Sequence, residues 1–427
     1  MKAEILTIGD ELLRGEIVDS NKAFLSDRLF GLGIETRFQV SVGDHPEDME
    51  DAFRRAAGRS HVALVSGGLG PTRDDLTIEV LARTFGRRLE VDQASLQAIT
   101  AFFARFGREM APINAKQANF PQGAEVLPNP IGTAPGCLLE VSGTLFFCMP
   151  GVPRELHRMM DEQVLPRIAE RLAGIEGRPV VRTALLRTFG MGESNLDEEL
   201  ADIAREEGVS LCFRTAFPDN YLRPVARGAT GSEAEARLAR VCGAIRERLG
   251  LLVYGSDAES MEEVVGRLLR EQGKTLAVAE SCTGGLLGEL ITAVPGSSDY
   301  FVGGVVAYSD RLKVALLGVP EGMLREHGAV SEPVALAMAE GARKRLGADL
   351  AVSTTGIAGP GGGSDAKPVG LVWVGFSSAG ENGAQMFEFP LDRSRHRMVT
   401  AQVALDWVRR ALLGEERVAL RYLRRSR

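Results

Sequence analysis

The sequence predicts an α/β protein interrupted by a small α+β module in the middle, on three observations. In the first and last parts, short apolar runs of strand character alternate with stretches whose apolar residues recur at helical spacing. This alternation implies a mostly parallel sheet with helices on both faces. Glycine-rich loops fall where a strand pattern gives way to a helix pattern, so that backbone can approach a ligand closely there. Residues 173–179 (AGIEGRP) read as a linker, and the expected domains are 1–172, 173–255 and 256–427.

In order along the chain, residues 3–8 form a strand pattern ending in Gly9-Asp10-Glu11, and 21–32 carry helical spacing before Gly33. Residues 35–42 are strand-like. Residues 45–58 read as a helix with acidic residues in its first turns and arginines near its end, as the helix dipole favours. A buried-strand pattern at 62–65 runs into Ser66-Gly67-Gly68-Leu69-Gly70-Pro71-Thr72, after which Asp74 and Asp75 are expected to open a helix to Phe85. A strand at 144–149 and a long helix to about Leu172 complete the first domain. The middle module shows strand patterns at 180–188 and 222–227 and a helix over 232–249. The last domain alternates a helix (261–272), a strand (275–279), a helix (284–293), strands near 301–307, 350–354 and 370–376, and a closing helix over 394–413.

Composition narrows the function classes. The 427 residues carry a formal charge of −7, with 44% hydrophobic and 25% charged residues, which fits a globular chain and excludes a largely disordered one. A mildly acidic total makes nucleic-acid coating an unfavoured role. The five cysteines are scattered without a CxxC pair, as expected for a reducing cytoplasm rather than a disulfide framework. No apolar run approaches the roughly 18 residues needed to cross a bilayer, and the first residues lack signal-peptide character. From Arg409 onward the chain holds seven arginines against two glutamates, which reads as a solvated helix end.

The strongest chemical signal is Glu280-Ser281-Cys282-Thr283-Gly284-Gly285, between a strand and a helix. Free backbone N–H groups and the positive end of a helix dipole converge at such a junction, suiting oxyanion stabilisation; Ser281 would alternatively serve only as a helix cap. A serine hydroxyl needs a base, and no histidine lies nearby in sequence. The next strand ends in Ala307-Tyr308-Ser309-Asp310-Arg311-Leu312-Lys313, where a desolvated Lys313 can act as base and Tyr308 can relay a proton. Cys282 is the rival nucleophile. The Ser353–Gly363 loop supplies hydroxyls and unhindered N–H groups, and Arg393 and Arg397, one helical turn apart, suit a phosphate or carboxylate.

The first domain offers different chemistry. Gly67, Gly68 and Gly70, with Thr72, form the kind of backbone cradle that holds phosphate at a helix N-terminus. Asp10, Asp74 and Asp75, with Glu11, supply hard oxygen ligands suited to Mg²⁺ or a similar divalent ion, although Asp74 would equally favour the helix dipole. Lys116 and the Asn129–Gly136 loop complete an anionic pocket.

Taken together, these motifs resemble the CinA family. Glu280–Gly285, the Tyr308…Lys313 spacing and Thr355-Gly356-Ile357-Ala358-Gly359-Pro360 are similar to its C-terminal nicotinamide-nucleotide amidase domain. Gly67–Asp75, Asn129–Gly136 and Met149–Glu155 resemble its molybdopterin-binding-like, three-layer N-terminal domain. The resemblance implies hydrolysis of the carboxamide of nicotinamide mononucleotide, with Ser281 as nucleophile, and Lys313 and Tyr308 handling its proton. Glu280, Cys282, Thr283, Gly284, Thr355, Gly356, Arg393 and Arg397 would surround the substrate, and no cofactor is implied there. For the first domain it implies metal-dependent cleavage of ADP-ribose, with Gly67, Gly68, Gly70, Thr72, Lys116 and Asn129 on phosphate. It also implies a homodimer. The alternative is a molybdopterin- or nucleotide-binding protein linked to competence and DNA damage, without hydrolase activity.

Overall fold

The computed structural model describes residues 1–175 and 177–415. Contacts divide the chain into two units, Met1–Arg182 with Arg227–Ala234, and the remainder. Mixed α/β structure runs through both, as the alternating patterns predict.

In the first unit, strands Lys2–Ile8, Glu35–Val42, Val62–Ser66 and Thr144–Met149 are parallel, and Gly136–Val141 and Glu125–Leu127 extend the sheet antiparallel. The first strand lies between the second and third. Its residues 3–8, and all of 62–66, are buried on both faces, so neither strand alternates buried with exposed positions, and the polar Glu4, Thr7 and Ser66 among them are buried as well. Separate cores cover the two faces, one containing Leu25, Leu29, Phe147 and Leu156, the other Phe53, Val65, Leu81 and Phe146.

Several expectations change here. The helix assigned to begin at Asp74 begins at Thr77, because Asp75 closes a turn on Thr72 instead. The long helix toward Leu172 carries a π-turn at Met160–Val164, immediately before Pro166, whose ring and missing N–H disrupt regular hydrogen bonding one turn earlier. Helix Gln93–Arg105 was not anticipated. Its apolar residues are half-exposed, with only Ser95 and Ile99 buried, which blurs the periodic signal.

The second unit contains most of the middle module and the last domain. In the module, antiparallel strands Val209–Ala216, Asp219–Gly228, Leu186–Thr188 and Val253–Ser256 are neighbours in that order. The run 180–188 is two strands, broken after Thr183. Leu186, Leu196, Leu222, Val241 and Ile245 pack as their core.

In the last domain, Phe301–Val306, Leu276–Glu280 and Leu350–Gly356 are parallel, and Leu371–Ser377 and Asn382–Glu388 continue antiparallel. Helix Arg393–Leu412 covers one face through Val399, Val403, Trp407 and Val408. Helix Glu332–Leu346 covers the other through Val334, Met338 and Ala342. The closing helix ends differently from expectation. Arg409 and Arg410 are buried and paired with Asp406, and Arg409 also donates to the Leu251 carbonyl at 2.6 Å. The rest of the arginine-rich tail, 416–427, lies outside the described residues.

The module meets the same helix at Asp219. Its carboxylate accepts from Tyr254 Oη at 2.5 Å and Gln402 Nε2 at 2.7 Å. Burial pushes the Asp219 carboxyl up to about 6, against the pull of Tyr254, Arg187 and Gln402. A carboxyl raised on folding favours the native state when protonated, so its contribution is present below the unfolded value and lost as pH rises through the folded one. Relative to Asp219→Asn, the wild type is therefore expected to lose on the order of 2 kcal/mol of unfolding free energy between about pH 4 and 7, measured by urea unfolding at each pH.

Candidate active sites

Strand register gathers the motifs of the last domain. Glu280 pairs with Val306 on one side and Thr354 on the other, so Ser281, Tyr308 and Thr355 emerge at the same carboxyl edge of the parallel strands. The first strand of this set lies between the second and third, so Ser281 and Thr355 flank a switch point. Open α/β sheets bind ligands in the crevice outside the strand ends at such points.

The turn bearing Ser281 is held from beneath. Glu280 is buried, and its carboxylate accepts from the N–H groups of Gly285 at 2.9 Å, Leu287 at 3.1 Å and Gly288 at 2.8 Å. Glu280 therefore caps helix Leu286–Thr292, and both of its carboxylate oxygens are engaged by the turn. The same bonds withdraw those N–H groups from oxyanion stabilisation. Ser281 is not the helix cap: its own N–H donates to Thr354 O at 2.9 Å, and a turn through Gly284 and Gly285, both left-handed, precedes the helix. Thr283 and Thr354 share a hydroxyl hydrogen bond of 2.7 Å.

Lys313 is 1% exposed, and Asp310 Oδ1 lies 3.5 Å from its ammonium. Burial lowers its proton affinity, while Asp310, Cys282 and Tyr308 raise it. Burial likewise pushes the Cys282 thiol up to about 12, despite relief from Thr354 and nearby N–H groups. A thiol so raised is un-ionised at neutral pH, which weakens Cys282 as rival nucleophile. Asp310 was not singled out from sequence as a partner, although its position one helical turn before Lys313 is a readable signal.

The arginines are already engaged. Arg393 donates to Gly359 O at 2.9 Å and Tyr308 Oη at 2.8 Å, and Arg397 reaches Thr283 O through Nε at 2.9 Å and Nη2 at 2.7 Å. They tie the closing helix to the loops rather than forming a free clamp. Asp392 caps that helix by accepting from Arg395 N. The Thr355 hydroxyl donates to Ala329 O at 2.8 Å, which makes it a loop brace, with Gly356 packed against Leu371 and Val372.

The first unit repeats the arrangement. Gly9–Asp10 and Gly67–Gly68 follow neighbouring strands at the same kind of switch point. A Cβ at Gly67 would strike the Ile8 carbonyl, and one at Gly68 the Thr77 hydroxyl. Lys116 donates to Thr72 O at 2.7 Å, and Asp75 receives the Thr72 N–H at 2.8 Å, so these side chains shape the Gly70–Thr72 turn. Asn129 is engaged at both ends, accepting from Ile131 and Gly132 and donating to Ala134 O and Glu155. It braces its loop instead of facing a phosphate. Beside this loop, helix Gln93–Arg105 and the Val126–Pro135 segment enclose a cavity of about 530 Å³ that sequence did not signal.

The expected metal ligands do not assemble. Asp10 accepts from Asp44 N at 3.2 Å and pairs with Arg14, Asp75 serves Thr72, and Asp74 is exposed. Burial raises the Asp44 carboxyl, with Asp10, Glu11 and Asp74 adding repulsion. Among the described residues, no three His, Cys, Asp or Glu side chains are placed to hold a metal ion. Nor is any described helix long and apolar enough to cross a membrane.

As a class, this is a protein of two α/β domains with mixed, mainly parallel sheets, each with a glycine-rich loop at a switch point, and a small α+β module between them in the sequence. Residues 258–412 match the family described as CinA C-terminal domain, 4–170 that described as Probable molybdopterin binding domain, and 183–255 the Damage-inducible protein CinA KH domain. A CinA-like protein of Geobacter metallireducens is 44% identical, covering 97% of this chain and 100% of that one. A CinA-like protein of Dictyoglomus turgidum is 41% identical, again with 97% and 100% covered. The chain belongs to the CinA family. The solved CinA protein of Thermoplasma acidophilum is 34% identical over 38% of this chain and 97% of its own, at a TM-score of 0.36.

The Glu280 cap sets a testable cost. Glu280→Ala removes the shared acceptor of three N–H groups at a buried site and is expected to destabilise the protein by about 3 kcal/mol or more, measured by urea unfolding, whereas Ser281→Ala should change stability little.

Proposed function

We propose that the last domain is a serine-dependent amide hydrolase acting on the carboxamide of nicotinamide mononucleotide. The observation that carries this reading is Ser281 at the carboxyl end of a central strand together with the buried Lys313 on the helix that follows the neighbouring strand. The Ser281 hydroxyl attacks the carboxamide carbon while its proton passes to neutral Lys313, directly or through Tyr308. Collapse of the tetrahedral intermediate breaks the C–N bond, and the lysine returns a proton to the departing ammonia. Water then cleaves the Ser281 ester, releasing the nicotinate product. Arg393, bonded to both Tyr308 and Gly359, keeps the phenol beside the glycine-rich loop.

Ser281→Ala is expected to lower ammonia release from nicotinamide mononucleotide by on the order of 10³-fold or more, with Cys282→Ala retaining most of it. Full turnover by folded Ser281→Ala, or loss confined to Cys282→Ala, would reverse the assignment.

For the first domain, the reading is diphosphate binding and cleavage of ADP-ribose, supported by the Gly67–Gly68 cradle at its switch point. A divalent ion would supply charge neutralisation there, but the carboxylates do not form a ligand set, and no step is assigned through it. Asp74 is exposed, so its replacement should not disturb folding. Asp74→Ala, which removes a carboxylate of the turn after the cradle, is expected to lower release of adenosine monophosphate from ADP-ribose while ammonia release continues. Unchanged cleavage would remove Asp74 from the site.

A further inference from the structure

A buried lysine can serve as a base only if its surroundings let it lose a proton near working pH, and at Lys313 burial and the neighbouring groups pull in opposite directions. From its own helix, Asp310–Leu317, Asp310 faces it at 3.5 Å. From the Ser281 turn Cys282, and from the loop after strand Phe301–Val306 Tyr308, are the other ionisable side chains near enough to influence its charge. The Cys282 thiol is held un-ionised by burial, so among these three Asp310 is the one carboxyl group. Asp310 itself has 62% of its side chain exposed, so it stays solvated while its oxygen reaches the inward-directed ammonium one helical turn later.

We infer that Asp310 is a positioning residue that sets the proton affinity of Lys313 and thereby the pH at which the Ser281 site becomes competent. The catalytic half of this statement rests on the amidase reading above; the half concerning Lys313 does not. Burial disfavours the ammonium, and an anionic neighbour within about 4 Å favours it. Asparagine preserves the shape and helix-start character of Asp310 but removes the charge. Lys313 would then release its proton at lower pH. A purely structural role at the helix start would alter stability and leave the titration of Lys313 where it was.

The test uses the full chain as wild type, Asp310→Asn and Asp310→Glu. Trace acetylation with acetic anhydride across about pH 6 to 11, read by mass spectrometry at Lys313, follows the neutral amine directly. The midpoint is expected to fall by about one pH unit in Asp310→Asn and to return toward wild type in Asp310→Glu. An unmoved midpoint in Asp310→Asn overturns the inference. The acid limb of ammonia release from nicotinamide mononucleotide, measured on the same proteins, should move with the midpoint. A shifted midpoint without ammonia release, or with an unmoved limb, upholds the control of Lys313 by Asp310 and counts against Lys313 as the base.

Discussion

The Ser281 site depends on one buried carboxylate. Glu280 ends a central strand with its side chain fully covered, and a charge in that position is tolerable only when hydrogen-bonded. Three N–H groups of the following turn and helix meet that need. In doing so they fix where the chain turns, which requires left-handed backbone at Gly284 and Gly285, and so where Ser281 is presented. The serine is set by the same bonds that remove the helix N-terminus as a source of free donors. A strand–loop–helix junction is thus not automatically an anion site. Its N–H groups are available only if no side chain has claimed them.

The two α/β domains use one plan with opposite electrostatics. Each places its first strand between the second and third, giving a switch point at which open α/β sheets form a ligand crevice. In the last domain that crevice adjoins a buried lysine whose ammonium is disfavoured by its own burial. In the first it is bordered by Asp10, Glu11, Asp44 and Asp74, where burial raises the Asp44 carboxyl and repulsion from the other three adds to it. The first environment disfavours a cation, and the second crowds carboxylates together. Shared topology accounts for the position of both crevices and for neither chemistry.

The closing helix links three levels of the second unit. Its first turns carry Arg393 and Arg397 to the loops around Ser281, its middle carries Gln402 to Asp219 of the module, and its last turn carries Arg409 to the Leu251 carbonyl. One rigid element therefore bears on both the site edge and the module. Asp219 is the titratable point in that seam, because burial and its two donors oppose each other there.

The sequence by itself determined the strands that are apolar on both faces, such as 62–65 and 276–279, and the glycine positions where backbone turns left-handed. It also determined the order of motifs that marks the family. These depend on interactions within a few residues, which periodicity and turn chemistry record. Helix Gln93–Arg105, half-exposed along its length, left no such record. Only the tertiary structure decided which polar groups remain free. Arg397 binds a carbonyl 114 residues away, Thr355 one 26 residues away, and Asn129 bonds Glu155 across 26 residues. Hydrogen-bond partners at such separations are chosen by strand register and helix packing, and buried polar groups must find them. That is why residues whose types suit substrate binding, Glu280, Arg397 and Asn129 among them, are found bracing the chain, while Asp310 beside Lys313 emerges as the charge that matters.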